Sequence, residues 1–376
     1  MEKPKKSQNK WQQKWPLKLF KKTEIHLKLD LEKDLGLDIP KDNTYIIPIF
    51  IPHRGCKNEC VFCNQRRISG EQRDVTPSDV RNEIDRFLQL YKDATRDKQI
   101  AFFGGSFTGL DISLQEEYLK VANEYIVKGL VKNIRISTRP DYIDTNILNL
   151  LKKYNVEVIE LGVQSMSDEV LLEAKRGHSS QDVVNASRLI KSYGFTLGHQ
   201  IMIGLPKSTE DAEIYTIERV ISIKPSILRI YPVYVLRDSK LYDMTVSHQY
   251  EPLSIEEAVK RTAKVYKRSV EAKINVIRIG LQTTEEINSK NSEILGPVCD
   301  NYRERVLSHL SREKIDKLIK YNKKLSGKTI QIVLPKKKHT YNLQVNYIVG
   351  QKRENIKYFK EKYNVNISVK KEKNKV

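Results

Sequence analysis

From Thr44 onward, short and almost continuously apolar runs alternate with longer amphipathic stretches. The runs are Thr44–Pro52, Gln99–Phe103, Asn133–Ser137, Val156–Gly162, Thr196–Ile203 and Ile227–Val235. Runs of this length and character predict strands covered on both faces, as in a parallel sheet. The stretches between them predict helices. Residues 77–93 follow Pro77, and residues 113–128 begin at a serine with Glu116 three positions on, a capping-box pattern. Residues 181–193 gather Val183, Val184, Ala186, Leu189 and Ile190 on one side, and residues 210–222 and 254–273 are similar. Six strand–helix units in this order predict an α/β fold, a partial (β/α)6 barrel over residues 44–310. A full eight-stranded barrel is the rival. An open doubly wound sheet fits less well, because no nucleotide-binding glycine signature follows the first strand. In such a barrel the chemistry sits at the carboxyl ends of the strands. Polar and glycine residues gather there five times: His53 to Cys63, Gly104 to Thr108, Ser137 to Asp141, Glu160 to Ser165 and Gly204 to Pro206.

Two flanking regions break this alternation. Residues 1–43 read as a basic N-terminal extension with at most one helix. Residues 311–376 read as a small basic α+β domain: strand 329–334, lysine loop 335–339, strand 341–349, helix 351–363 and strand 365–369. Charge sharpens the division. The chain has 376 residues and a net charge of +20. Residues 1–22 carry +7 and residues 311–376 carry +14, which leaves the intervening body at about −1. Basic ends on a near-neutral body suit phosphate contact, and the excess of lysine over arginine suits backbone tracking more than base readout. Solubility is the competing explanation. No stretch of eighteen apolar residues occurs, and the basic N-terminus has no apolar core behind it. A membrane span and a secretory signal are therefore not expected, and a cytoplasmic protein is.

Three of the four cysteines, Cys56, Cys60 and Cys63, fall within eight positions directly after the first strand. The clustering suggests a metal or cluster site in a reducing compartment. Spacing alone leaves open a zinc knuckle, an iron–sulfur cluster and coincidence. The segment Ile51-Pro-His-Arg-Gly-Cys56-Lys-Asn-Glu-Cys60-Val-Phe62-Cys63 resembles the CxxxCxxC loop of the radical S-adenosylmethionine superfamily, including the aromatic before the last cysteine. The resemblance implies a [4Fe–4S] cluster on Cys56, Cys60 and Cys63, with one iron open to S-adenosylmethionine.

Further phrases extend the resemblance over roughly residues 45–305. Phe103-Gly104-Gly105-Ser106-Phe107-Thr108 resembles the glycine motif that meets the cofactor's methionine amino group. Ile136-Ser137-Thr138-Arg139-Pro140-Asp141, Glu160-Leu-Gly-Val-Gln164-Ser165 and Ile203-Gly204-Leu205-Pro206 resemble the motifs of the third, fourth and fifth strands. By this resemblance Arg139 pairs with the cofactor carboxylate, Glu160 and Gln164 reach the ribose, and Gly204 and Leu205 lie near adenine. Arg176-Gly177-His178 resembles the basic stretch after the fourth strand, with Arg176 facing cofactor or substrate. The set is similar to the branch containing the radical domain of the Elongator catalytic subunit, a family that modifies the wobble uridine of tRNA. Three features depart from it, the first being that the chain is expected to be a short bacterial form, ending too early for the acetyltransferase domain of that subunit. The first two cysteines are closer together, and no pyrophosphate loop for acetyl-CoA follows residue 310. Tyr231, Tyr234 and Tyr242 are candidates to stack on a base or to stabilise a radical. Cys299 is a candidate hydrogen-atom donor, or an ordinary buried thiol.

The run from Tyr347 to Val369 resembles the core of a KH domain, whose GxxG loop clamps four backbone nucleotides. Gly350 holds the first glycine position and Arg353 the second, so the loop is degenerate. Lys336, Lys337, Lys338, Gly350, Lys352 and Arg353 are the expected RNA contacts. The expected function is radical modification of a structured RNA, tRNA foremost, with electrons from an external donor such as flavodoxin or ferredoxin. A radical enzyme acting on a small molecule or protein, and an RNA-binding protein that retains a cluster, are the alternatives.

Overall fold

Isoleucine- and valine-rich runs between amphipathic helices become parallel strands because both of their faces are shielded from water. A computed structural model of the chain describes residues 18–21, 24–31, 44–51, 56, 58–64, 74–92, 95–281, 294–321, 325–335 and 340–372. The chain divides into two units: Asp38–Val306, and Met1–Leu37 together with Leu307–Val376. Two strands, β1 (Lys18–Lys21) and β2 (Glu24–Lys28), open the second of these.

The larger unit holds seven parallel strands: β3 (Tyr45–Ile51), β4 (Lys98–Gly104), β5 (Asn133–Thr138), β6 (Val156–Gln164), β7 (Thr196–Ile203), β8 (Ile227–Pro232) and, beyond a two-residue strand β9 (Val235–Leu236), β10 (Asn275–Ile279). Their spatial order is β10-β8-β7-β6-β5-β4-β3. Helices follow most strands: α1 (Pro77–Leu90), α2 (Ile112–Val127), α3 (Thr145–Lys153), α4 (Asp168–Glu173), α5 (Ser180–Ser192), α6 (Glu210–Ile223), α7 (Lys240–Val246) and α8 (Ile255–Glu271). Alternation along the strands sorts the two faces. Ile100, Phe102, Ile134, Ile136, Ile159, Leu161, Ile201, Leu228 and Ile230 are buried. Their neighbours Phe50, Phe103, Gln200, Arg229, Tyr231 and Arg278 keep some exposure. These neighbours share the other face of the sheet, which stays partly exposed.

One contact shows how far the sheet curls. The Arg229 guanidinium on β8 lies over the Phe103 ring on β4, 5.1 Å from its centroid. Four strand spacings separate these strands, about 19 Å if the sheet were flat. The sheet is therefore a curled, partly closed barrel wall. It has seven strands where the sequence predicted six. The extra one, β10, is short and carries Asn275 and Arg278, which break its apolar run. The capping box expected at the start of α2 is absent: the N-cap is Asp111, with no side-chain cap hydrogen bond. Reciprocal capping boxes instead start α1, at Thr76 with Asp79, and α5, at Ser179 with Asp182.

The smaller unit holds a four-stranded sheet of order β1-β2-β12-β13, with β12 at Thr329–Leu334 and β13 at Asn366–Lys371. Within the larger unit a short strand β11 (Ile294–Leu295) pairs with β9; α9 (Tyr302–Lys320) then leads to β12. β12 pairs in parallel with both β2 and β13. Residues 1–43 were expected to hold at most a helix; their described part holds two strands. The expected strand 341–349 is a helix, α10 (Tyr341–Val349). Its valine, isoleucine and tyrosines suit a strand, yet the buried residues Gln344, Tyr347 and Ile348 sit at helical spacing. Helix α11 (Glu354–Tyr363) follows, so the order is β12-α10-α11-β13 with Gly350–Arg353 between the helices. Among the described residues no helix is long and apolar enough to cross a membrane.

Candidate functional site

The site lies where strand ends and the cysteine loop meet. The loop leaves β3 at Ile51, whose carbonyl accepts a 2.7 Å hydrogen bond from Gly105 N–H beyond β4. Gly104, at φ 100°, lies against the Ile51 backbone, where an added Cβ would sit 3.1 Å from the carbonyl oxygen. Only glycine fits this turn without strain. Further along, Val61 is clipped at both backbone groups. Its N–H donates to the Ala174 carbonyl at 3.2 Å and its carbonyl accepts from Leu241 N–H at 2.7 Å. Its side chain joins Val170, Ala174, Leu205, Val233, Val235 and Leu241 in an apolar cluster, with Phe62 and Tyr242 packed against it. Leu205 and Tyr242, expected near adenine and at the reaction, thus pack under the cysteine loop.

The three cysteines differ in setting. Cys60 is buried, Cys63 is intermediate and Cys56 is exposed. Cys56 Sγ lies 3.2 Å from the hydroxyl of buried Ser106. Arg176 donates from Nη1 to Cys60 Sγ at 3.2 Å and from Nη2 to the Gly162 carbonyl on β6 at 2.8 Å. Gly177 at φ 71° lies against Asn58, with 2.1 Å left between an added Cβ and the Asn58 amide. The Arg176–His178 segment therefore packs directly on the loop. Among the described residues no three His, Cys, Asp or Glu side chains converge as a ready-made metal cage.

Three basic residues surround this corner. Arg139 is 1% exposed and forks onto Asp141 with two bonds of 2.9 Å, leaving Nη1 buried without a partner. Arg176 Nε is also buried and unpartnered. His178 contacts the Val163 carbonyl through Nε2 at 3.3 Å. A carbonyl only accepts, so Nε2 carries the proton and Nδ1, buried and unpartnered, is an acceptor. Burial, then the Arg176 and Arg139 guanidiniums, push the His178 pKa down to about 3, so the ring is neutral at pH 7. Two guanidiniums thus stand beside Cys60, one of them donating to its sulfur. Orphaned buried donors and a basic wall fit an anionic cluster with a zwitterionic ligand beside it, so the residues present suit the group the cysteine motif implies.

Glu160, expected at a strand end, sits in the middle of β6, and Gln164 ends it. Glu160, 3% exposed, accepts from Arg135 and from Arg229, whose Nε approaches to 2.6 Å. A carboxylate has about four acceptor positions, so a ribose hydroxyl would be a further partner, not the first. Gln164 sits at φ 64° and accepts from Gln200 Nε2 at 3.1 Å. A non-glycine residue held left-handed at a strand end is local strain of the kind found at binding sites. Gly204, at φ 86°, donates its N–H to buried Glu213 at 2.8 Å, and its carbonyl accepts from Tyr250 at 2.6 Å. Glu213 and Tyr250 escaped sequence reasoning, since nothing in α6 marks one glutamate of three as buried.

Cys299 lies elsewhere. Its charged and phenolic neighbours are Arg305, Asp300, Glu256, Tyr234 and Tyr302, none from the cysteine loop, and burial raises its pKa. In the smaller unit Lys352 and Arg353 are exposed at φ 48° and 62°, beside Gly350 at φ 74°. Lys336, Lys337 and Lys338 lie outside the described residues.

Comparison with known proteins agrees with this geometry. Residues 50–220 match the family model of the radical SAM superfamily, and residues 225–312 match that of the radical SAM C-terminal domain; the two take in well over half of the chain. The tRNA uridine(34) acetyltransferase of Methanocaldococcus jannaschii is 29% identical over 225 residues, 56% of this chain and 41% of that protein. Elongator complex protein 3 of Homo sapiens is 30% identical over 149 residues, 38% of this chain and 27% of that protein. The match thus spans less than half the length of these relatives. The solved structure of the archaeal Methanocaldococcus infernus Elp3 with an N-terminal deletion superposes with a TM-score of 0.52 at 22% identity, over 66% of this chain and 61% of that one, which shows a shared fold. A curled parallel sheet, a cysteine loop leaving its first strand and a family match across both halves of the larger unit lead to one assignment: the chain belongs to the radical SAM superfamily and is homologous to the Elongator-type radical domain.

Proposed function

We propose that Cys56, Cys60 and Cys63 hold a [4Fe–4S] cluster and that the enzyme uses it with S-adenosylmethionine to modify a structured RNA of the tRNA class. The observation that carries the cluster assignment is the buried Arg176 guanidinium donating to Cys60 Sγ at a strand end. When bound, the cluster and S-adenosylmethionine supply one-electron reductive cleavage of a carbon–sulfur bond, with the electron from an external donor such as flavodoxin or ferredoxin. The chain's residues prepare for this. Arg176 and Arg139 offset the negative charge that a cluster on these sulfurs would bring. The unpartnered Arg139 Nη1 offers one donor to a cofactor carboxylate, since Asp141 already occupies the fork. His178 Nδ1 offers an acceptor to an ammonium group. Gly104 and Gly105 bring main chain close, Gln164 and Gly204 line the strand ends beyond, and Glu160 lies deeper along β6. The apolar cluster under Val61 and Phe62 keeps water from the loop's inner side.

Support for RNA comes from the relatives and from the smaller unit. The relatives' names specify tRNA uridine(34) and Elongator. We read the smaller unit as KH-like; the order β12-α10-α11-β13, with parallel β12 and β13 and positive-φ residues in the Gly350–Arg353 loop, supports that reading. We assign Lys352 and Arg353 to phosphate contact there, and place the reaction in the cytoplasm, where thiols stay reduced. The test is mass spectrometry of nucleosides from a deletion strain beside its parent. Loss of one modified nucleoside is expected. Identical tRNA and rRNA profiles would remove RNA as the substrate and leave a small molecule or protein.

A further inference from the structure

The concave face of the barrel carries a positive charge that the cysteine site does not use. Arg278 on β10 donates its Nε to the Gly280 carbonyl at 3.3 Å and has no carboxylate partner among the described residues. Its charged neighbours are Arg229 and Arg303, with the Tyr231 phenol beside them; burial and the two guanidiniums push its pKa down. Arg229 donates to Tyr231 Oη at 3.1 Å, lies over the Phe103 ring and shares Glu160 with Arg135. The Phe50 ring, 38% exposed, stands 6.2 Å from Phe103. One carboxylate, Glu160, thus serves Arg135 and Arg229 together, and among the described residues Arg278 has no counter-ion.

A mostly buried cation without a counter-ion destabilises a fold unless something else supplies the negative charge. The guanidinium fork matches a planar oxyanion, and exposed aromatic faces beside it match a planar ring. We infer that Arg278, together with Arg229, forms an oxyanion subsite in the barrel lumen for a ligand that joins a flat ring to a phosphate or a carboxylate. Phe50, Phe103 and Tyr231 are its wall. That the ring is a nucleobase rests on the RNA reading above; the oxyanion subsite rests on the lumen geometry alone.

The test is calorimetric titration of the reconstituted full chain, saturated with S-adenosylmethionine, using two matched pairs: uridine 5′-monophosphate with uridine, and benzoate with benzamide. In at least one pair the anion should bind about tenfold or more tighter than its neutral partner, and Arg278→Gln should remove that preference. Arg278→Lys should restore part of it. The unfolding midpoint of Arg278→Gln should stay level or rise, because the substitution relieves an unpaired charge. Preference for the monophosphate identifies a nucleotide. Preference for benzoate alone keeps the subsite but withdraws the nucleobase, a result distinct from failure of the RNA reading in the nucleoside test. The inference is overturned if neither anion binds, if anion and neutral partner bind alike, or if Arg278→Gln binds as the parent does. A fall in the unfolding midpoint of Arg278→Gln would also overturn it, by showing the residue to be structural.

Discussion

Arg176 joins two parts of the site with one planar group, reaching the Cys60 sulfur and the Gly162 carbonyl at once. Lysine has a point charge and cannot span both. Arg176→Lys should therefore fold normally but retain iron poorly, by an amount in line with about 1.5–3 kcal/mol for a charge-assisted hydrogen bond. Iron content and visible absorbance per chain after desalting check this; parental values would mean the contact is incidental. Gly177 makes a second point. A side chain there meets Asn58 and must adopt φ 71°, so Gly177→Ala should destabilise the protein by about 1–2 kcal/mol. Denaturant midpoints read the loss, and an unchanged midpoint would show that Asn58 simply moves aside. Cysteines and glycines at this scale were legible because their chemistry demands a residue type at a spacing. The state of Glu160 was not, because its partners Arg135 and Arg229 lie 25 and 69 positions away.

Elements place these residues, and Glu213 on α6 shows how. Its carboxyl holds the Gly204 N–H beneath the loop after β7. Burial pushes its pKa up to about 7 from an ordinary 4.5. The native state keeps a proton that the unfolded chain releases. The stability from this group is thus full below about pH 4.5 and is lost as pH rises to about 7, by on the order of 3 kcal/mol. Glu213→Gln keeps an acceptor for Gly204 and should flatten that fall, as urea midpoints at pH 5 and pH 8 will show; parallel pH profiles for parent and variant would exclude the proton. In the smaller unit, Arg353 takes the left-handed conformation that glycine would adopt freely. Arg353→Gly should raise stability by about 1 kcal/mol while removing a charge. The strand–helix alternation of the barrel was readable from periodicity. The helical state of Tyr341–Val349 was not, because β-branched and aromatic residues suit a strand until packing decides.

At the scale of the molecule, the fold gathers what the sequence separates. The two basic ends lie more than 280 residues apart in the chain, yet the division of the fold places Met1–Leu37 and Leu307–Val376 in one unit, joined by the parallel pairing of β2 with β12. No local pattern announces a pairing between ends so distant, whereas the charge on each end is plain from composition. A basic unit on a chain whose other unit is near neutral predicts RNA affinity that falls steeply with salt. Lys352→Gln combined with Arg353→Gln should lower the slope of log K against log salt by about 1–2. A filter-binding series read at several salt concentrations gives the slope, and an unaltered slope would move RNA contact away from the Gly350 loop.

The proposed chemistry depends on Cys56, Cys60 and Cys63 of one loop sharing a cluster that S-adenosylmethionine can reach. The direct measurement is 5′-deoxyadenosine formation by the anaerobically reconstituted chain under strong reductant, with iron counted on the same sample. About four irons per chain and release of 5′-deoxyadenosine are expected, with both lost in Cys56→Ala, Cys60→Ala and Cys63→Ala. Zinc in place of iron, or a four-iron spectrum with S-adenosylmethionine left intact, would contradict the account.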